Sequence, residues 1–304
     1  MLDQFSVIEE AAASDTRETA ARINDLGLFG PSSQAWRLNR ESTLLLGAGP
    51  RALLMQIAHP LIAEGVAQHS DFRADPWRRL RATLRSYITI IFGTSAQARA
   101  EIGRLNRFHR QVNGPVTDPG AARTFGPRYD ARDAQLALWV HATLIDATLV
   151  ANERWIGRLT RSQRAGFYAE TRPIGRAFGI PDALLPVDIE AFDRYLEAMI
   201  GPDGPVHVGA LARDLAQAIL RPPLGSLHPL LARVPAGSYA WTFLPAIELL
   251  PASIRSGYGL PWGRREQLIA TWLTAGYRAW RPVLPTSLRT MPWARAADSS
   301  LGLP

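Results

Sequence analysis

The chain has 304 residues, of which 47% are hydrophobic and 20% charged, a balance that supports a sizeable core and excludes a disordered chain. There is no cysteine, which excludes disulfides, a thiolate metal ligand and a cysteine nucleophile. The net charge is +7 and every basic residue is arginine, which also excludes lysine Schiff-base chemistry.

The arginines are spread along the chain, mostly beside acids, with no block of like charge. We therefore expect solvated surface charge and no nucleic-acid partner. Met1 to Glu10 holds three acids and no base, unlike a secretory or transit segment, and the expected location is cytoplasmic.

In chain order, Ser14 and Asp15 can cap a first helix ending near Asp25 to Gly27. A Gly30-Pro31-Ser32-Ser33 loop leads to Trp36–Glu41. Leu44 to Ala52 reads like a strand entering G-x-G-x-x-A, yet no second strand follows to complete a nucleotide-binding unit. Its two glycines are expected at a corner between helices.

Asp75-Pro76 is a helix start, with Asp at the N-cap and Pro in the first turn. Leu80, Leu84, Tyr87, Ile88 and Ile91 then form an apolar stripe that Gly93 ends. Thr94 or Ser95 opens the next helix, with a stripe of Ile102, Leu105, His109 and Val112, and Asn113-Gly114-Pro115 stops it. Residues 115–130 read as loop.

Asp133 caps the most apolar stretch, Ala134 to Ala151, which His141 and Asp146 interrupt. It is too short and too polar to span a bilayer comfortably and reads as a buried core helix. Further helices are predicted over 161–178, 188–200, 208–220 and 264–280, with an irregular tail from about Pro282. No sheet pattern appears. The expected fold is all-α, a single-domain helical bundle over residues 1–304.

Of the six histidines, His109 and His141 fall on apolar helix surfaces. A buried imidazole needs partners for its ring nitrogens, and a structural hydrogen-bond pair and a metal site both answer that need. No H-E-x-x-H zinc motif and no G-x-S-x-G elbow is present. Arg79 and Thr83 are one turn apart and share a helical face beside the apolar stripe. Such an arginine suits a half-buried carboxylate, or it is simply solvated.

These pieces occur in a recognisable order. Trp36-Arg37-Leu38-Asn39-Arg40-Glu41 is followed by Leu53-Leu54-Met55-Gln56-Ile57-Ala58-His59-Pro60 and Gly65-Val66-Ala67-Gln68-His69-Ser70-Asp71-Phe72. Then come Asp75-Pro76, Arg79-Leu80-x-x-Thr83, Phe92-Gly93, His109-x-x-Val112-x-Gly114 and Leu138-Trp139-Val140-His141-Ala142-Thr143-Leu144. The series resembles the DUF2236 family, which includes the latex-clearing rubber oxygenases and the MpaB-type oxygenase. The resemblance covers residues 34–155 well and the rest loosely.

The resemblance implies a helical fold enclosing a pocket for one haem b, with a proximal histidine on the iron. It implies O₂ chemistry on an apolar, alkene-containing small molecule, up to cleavage of the double bond. By position, His109 resembles the proximal ligand and His141 the second histidine of the pocket. Arg79 and Thr83 resemble the family's pair beside the haem. Glu64 resembles a glutamate base. Rubber-cleaving members can carry a lysine just before the threonine, where this chain has Ala82, which points away from rubber as the substrate. A haem binder or sensor without turnover would use the same residues. A structural member that has lost haem is the third alternative.

Overall fold

The computed structural model describes residues 25–70, 76–220 and 243–300. Among them the first helices are α1 (Gln34–Asn39), α2 (Leu44–Ile57), α3 (Pro60–His69), α4 (Pro76–Phe92) and α5 (Ser95–His109). A small ribbon follows, β1 (Asn113–Pro115) and β2 (Arg128–Asp130), with α6 (Pro119–Phe125) between its strands. Then come α7 (Ala134–Trp155), α8 (Arg161–Ala177), α9 (Ile189–Ile200) and α10 (Ala210–Leu220). The C-terminal helices are α11 (Leu244–Glu248), α12 (Ala252–Gly257), α13 (Arg264–Trp280), α14 (Thr286–Arg289) and α15 (Pro292–Ser300). The fold is all-α, and the antiparallel ribbon is the one sheet among the described residues.

The central element is α7. It is apolar nearly all round because it is packed on most sides, as the absence of a polar stripe foretells. It is the one described helix long and apolar enough to cross a bilayer, and most of it is buried in the core. It runs antiparallel to α2. Gly47 meets Trp155 at one end, and at the other Trp139 Nε1 donates to the Met55 carbonyl at 3.1 Å. Between them Arg51 Nη1 lies 2.5 Å from Asp146 Oδ2, deep in the interface. Two buried charges are tolerated there because each neutralises the other and Arg51 Nε also donates to the Leu249 carbonyl at 2.8 Å.

Local signals set most helix starts. Asp133 accepts from Gln135 N at 2.8 Å to begin α7. Thr94 and Gln97 form a reciprocal capping box on α5, as Thr160 and Gln163 do on α8. Ser33 caps α1 by accepting from Trp36 N.

The structure corrects three expectations. Gly47-Ala48-Gly49-Pro50 forms no corner: it lies inside α2, continuous through Pro50. Its glycines have no free helix N-terminus to offer a phosphate. Gly47 is required for a different reason, because a Cβ there would overlap the ring of Trp155. Residues 113–115 and 128–130 are paired strands, too short to register as an alternating pattern.

The segment after Pro282 is not irregular but helical, as α14 and α15. Met291 and Ala294 pack against Trp36, whose Nε1 donates to Asp298 at 3.1 Å while Arg40 pairs with the same carboxylate at 2.7 Å. Prolines at helix starts had made this segment look broken. The first predicted helix, from Ser14, lies mostly outside the described residues.

Candidate functional site

The candidate site forms where α4, α5, α7 and α8 come together at one end of the bundle. Three sets of contacts fix that arrangement. Tyr87 of α4 donates to Asn39 Oδ1 at 2.6 Å and lies 3.4 Å from Thr148 Oγ1 of α7, so α4 crosses α7 at this level. Burial pushes the Tyr87 hydroxyl up to about 12, which keeps it a neutral donor. Next, α5 runs back antiparallel along α4, with Arg104 Nη2 donating to Ser86 Oγ at 3.1 Å. Finally, Asn106 near the end of α5 donates to the Ala177 carbonyl at the end of α8, at 2.8 Å.

These contacts place the functional candidates. Thr83 is one turn before Tyr87 on α4 and half-buried. Arg79 falls one further turn back, and its side chain lies outside the described residues. His109, the last residue of α5, is half-buried, with its ring centroid 6.5 Å from that of Phe178 at the C-cap of α8. His141 lies seven residues before Thr148, two turns away on the same face of α7. Its ring abuts Gly175 on the last turn of α8: a Cβ on that glycine would stand 3.2 Å from Cδ2 and 3.3 Å from Nε2. Both histidines therefore meet the same final turn of α8, one at Gly175 and one at Phe178.

The two imidazoles differ in environment. His141 is 8% exposed, and its Nε2 is buried without a hydrogen-bond partner among the described residues. Burial pulls its pKa down to about 4, partly offset by a hydrogen bond with the Thr171 backbone, so the ring is a neutral nitrogen donor at neutral pH. An orphaned buried nitrogen is costly in a native core and calls for a partner.

Glu64 sits on α3. It is 1% exposed and held by Thr117 N at 2.7 Å, Thr117 Oγ1 at 2.9 Å, Asp118 N at 2.9 Å and Gln68 Nε2 at 2.9 Å. These donors belong to α3 and the β1–α6 connection. The carboxylate organises that connection.

The other described histidines are accounted for. His59 caps α3, its Nδ1 accepting from Leu61 N at 3.3 Å, and His69 Nε2 lies 3.1 Å from the Asn113 carbonyl. His207 is exposed. Among the described residues no three His, Asp or Glu side chains cluster as a polydentate metal site. A haem iron asks for less, since the macrocycle supplies four nitrogens and the protein one axial ligand. The site's donor set fits that demand.

Sequence reading missed Gly175 and Phe178. The signal was local: Pro173-x-Gly175 within the end of a helix marks a place where backbone is left bare for a neighbour.

The family model for the "ER-bound oxygenase mpaB/B'/Rubber oxygenase, catalytic domain" matches residues 36–283, most of the chain. The curated relatives include the uncharacterised protein Mb2261 of Mycobacterium bovis and the uncharacterised protein Rv2237 of Mycobacterium tuberculosis. Each is 24% identical over 237 residues, covering 77% of this chain and 87% of the relative. No solved structure matches.

Proposed function

Since this chain belongs to the family of mpaB and rubber-oxygenase catalytic domains, we propose that it is a haem b-dependent oxygenase acting with O₂ on an apolar, alkene-containing small molecule. Family membership supports oxygenase chemistry in general. The observation that carries the haem reading is the buried, unpartnered Nε2 of His141, facing the turn of α8 that also receives His109. A buried imidazole nitrogen without a partner among the described residues, beside a second histidine, is what a haem pocket can use and what a purely structural core avoids.

In this reading His109 would hold the haem through a ring nitrogen, and His141 would offer its Nε2 as the polar group of the pocket. Thr83 adds a hydroxyl from α4. Arg79 would pair with a propionate carboxylate, as the family resemblance implies. When bound, the haem supplies activation of O₂ and oxidative cleavage of the carbon–carbon double bond. The chain's own residues bind, orient and exclude water. Tyr87, kept neutral by burial, closes the wall by hydrogen bonding Asn39. With its acceptor sites engaged by four donors, Glu64 holds the β1–α6 connection, and no proton is assigned to it.

The test is the visible spectrum of the purified protein, before and after titration with haemin. A Soret band at one haem per chain is expected. His109→Ala should abolish retention, while His141→Ala should keep haem with an altered band. The reverse outcome moves the axial ligand to His141 and leaves the haem reading intact. Absence of any Soret band overturns it. Carbonyl products from an alkene, with reductant under air, distinguish an oxygenase from a haem protein without turnover.

A further inference from the structure

The connection between α8 and α9, residues 178–188, is bordered by buried polar atoms that have no hydrogen-bond partner among the described residues: His141 Nε2, Arg172 Nε and the Tyr195 hydroxyl. His141 meets it through Leu185, since a Cβ on Gly175 would stand 3.0 Å from Leu185 Cδ2 and 3.2 Å from His141 Cδ2. Tyr195, on α9, packs against the buried cluster of Leu138, Ile180 and Leu185. Arg172, on α8, sits close enough to Tyr168 for its charge to act on that hydroxyl, which donates to the Pro186 carbonyl at 2.6 Å.

Arg172 and Tyr195 are both donors. Burial pushes the Tyr195 hydroxyl up, so it stays neutral and keeps its proton. Arg172 is half-buried and permanently charged. The acids of the connection are engaged elsewhere: Asp182 pairs with Arg176 at 2.5 Å, and Asp188 accepts from Ala191 N at 2.7 Å. A buried donor without an acceptor costs free energy that an incoming acceptor recovers. One guanidinium asks for one negative charge, and its planar fork fits the two oxygens of a carboxylate. Leu138, Ile180 and Leu185 leave only hydrocarbon for the rest of the ligand to touch.

We propose that Arg172 and Tyr195 receive the carboxylate of an apolar carboxylic acid beside His141. That carboxylate belongs either to an alkenoic acid, which would be the substrate, or to a haem propionate. Both cases rest on the haem-oxygenase reading above for what the carboxylate's owner does; the carboxylate receptor itself does not.

The experiment uses the full chain and two pairs of probes, each pair differing in the carboxylate alone. Undecylenate is compared with undecylenyl alcohol, and haemin with its dimethyl ester, by equilibrium binding. The wild type should bind the acid of at least one pair about tenfold more tightly than its neutral partner. Arg172→Gln should erase that preference while binding of the neutral partner, which reports the fold, stays unchanged. Arg172→Lys should restore part of it. Tyr195→Phe should weaken the acid by about threefold or more without lowering the thermal midpoint, because the hydroxyl has no protein partner to lose.

A preference within the first pair makes the substrate an alkenoic acid, and one within the second pair alone assigns Arg172 to a propionate. No preference in either pair, or a preference that survives Arg172→Gln, overturns the proposal. A lowered midpoint in Tyr195→Phe also overturns it, since the hydroxyl then has a partner inside the protein. A preference for undecylenate in a protein that shows no Soret band with haemin overturns the haem reading and leaves the carboxylate receptor standing.

Discussion

The imidazole of His141 fits against bare backbone at Gly175: a single added methyl there would lie 3.2 Å from Cδ2 and 3.3 Å from Nε2, and 3.0 Å from Leu185 Cδ2. The helix α8 thus leaves a gap one side chain deep, and α7 fills it with a ring whose Nε2 has no hydrogen-bond partner among the described residues.

Gly175→Ala tests that fit. Inside a helix the change gains about 1 kcal/mol in propensity, and the crowding removes a similar amount, so the denaturant midpoint should move little. The ring of His141, however, must tilt or shift by a few tenths of an ångström. The expected result is a shifted Soret band or weaker haemin binding at near-constant stability. Unchanged haemin binding and spectrum would show that Gly175 does not position the ring.

Gly47 and Gly49 make a matched pair. Alanine at Gly47 would drive its Cβ to 1.6 Å from Trp155 Cη2, and that indole is buried and cannot retreat. Gly47→Ala should cost about 2–3 kcal/mol despite the helix-propensity gain. Apart from its chain neighbours nothing lies within 4 Å of a Cβ at exposed Gly49, but the ring of Pro50 disfavours helical backbone for a residue with a Cβ before it, so Gly49→Ala should change stability by less than about 1 kcal/mol. Urea unfolding of both variants checks the contrast.

Glu64→Ala removes the acceptor for two backbone amides, a hydroxyl and a side-chain amide in a site that is 1% exposed. Leaving those donors unpaired should cost about 2–4 kcal/mol. A structural role predicts a loss of stability in Glu64→Gln as well, with turnover per folded molecule retained. A role as base predicts the opposite split, with stability kept and turnover lost. Chemical denaturation and specific activity of the same preparation separate the two.

His59 gives the protein a pH limit. Its pKa is pulled from 6.5 to about 4, first by burial and then by His207, with Asp133 opposing. The folded state therefore binds fewer protons than the unfolded state between these values. Stability is full above about pH 6.5 and falls as pH drops toward 4, with up to about 3 kcal/mol at stake from this group. Protonation also removes the Nδ1 acceptor that caps α3. In His59→Asn, which retains a capping oxygen, the decline over that window should be shallower; denaturant midpoints measured across the range read it out.

Much of the fold was legible because its signals are short-range. Asp133 before an apolar run, the Thr94–Gln97 box and the Thr160–Gln163 box each fix a helix start by hydrogen bonds spanning three residues or fewer. The ordered motifs from Trp36 to His141 were likewise enough to identify the family, since residue order survives where identity falls to 24%. The α14–α15 segment was misread because its helices are short and proline-flanked. They are held by Trp36 and Arg40 more than two hundred residues away, and no local pattern reports such a partner.

The candidate site divides the same way. Residue order alone singles out the candidates, His109, His141, Arg79 and Thr83, and the helices that carry them. Their neighbours are set by packing. It brought His109 and His141 to one turn of α8 and committed Glu64 to the β1–α6 connection. The physical reason is that helical periodicity assigns a residue to a face, whereas the partner of that face is chosen by packing between distant segments, where a single absent side chain such as that of Gly175 settles what fits.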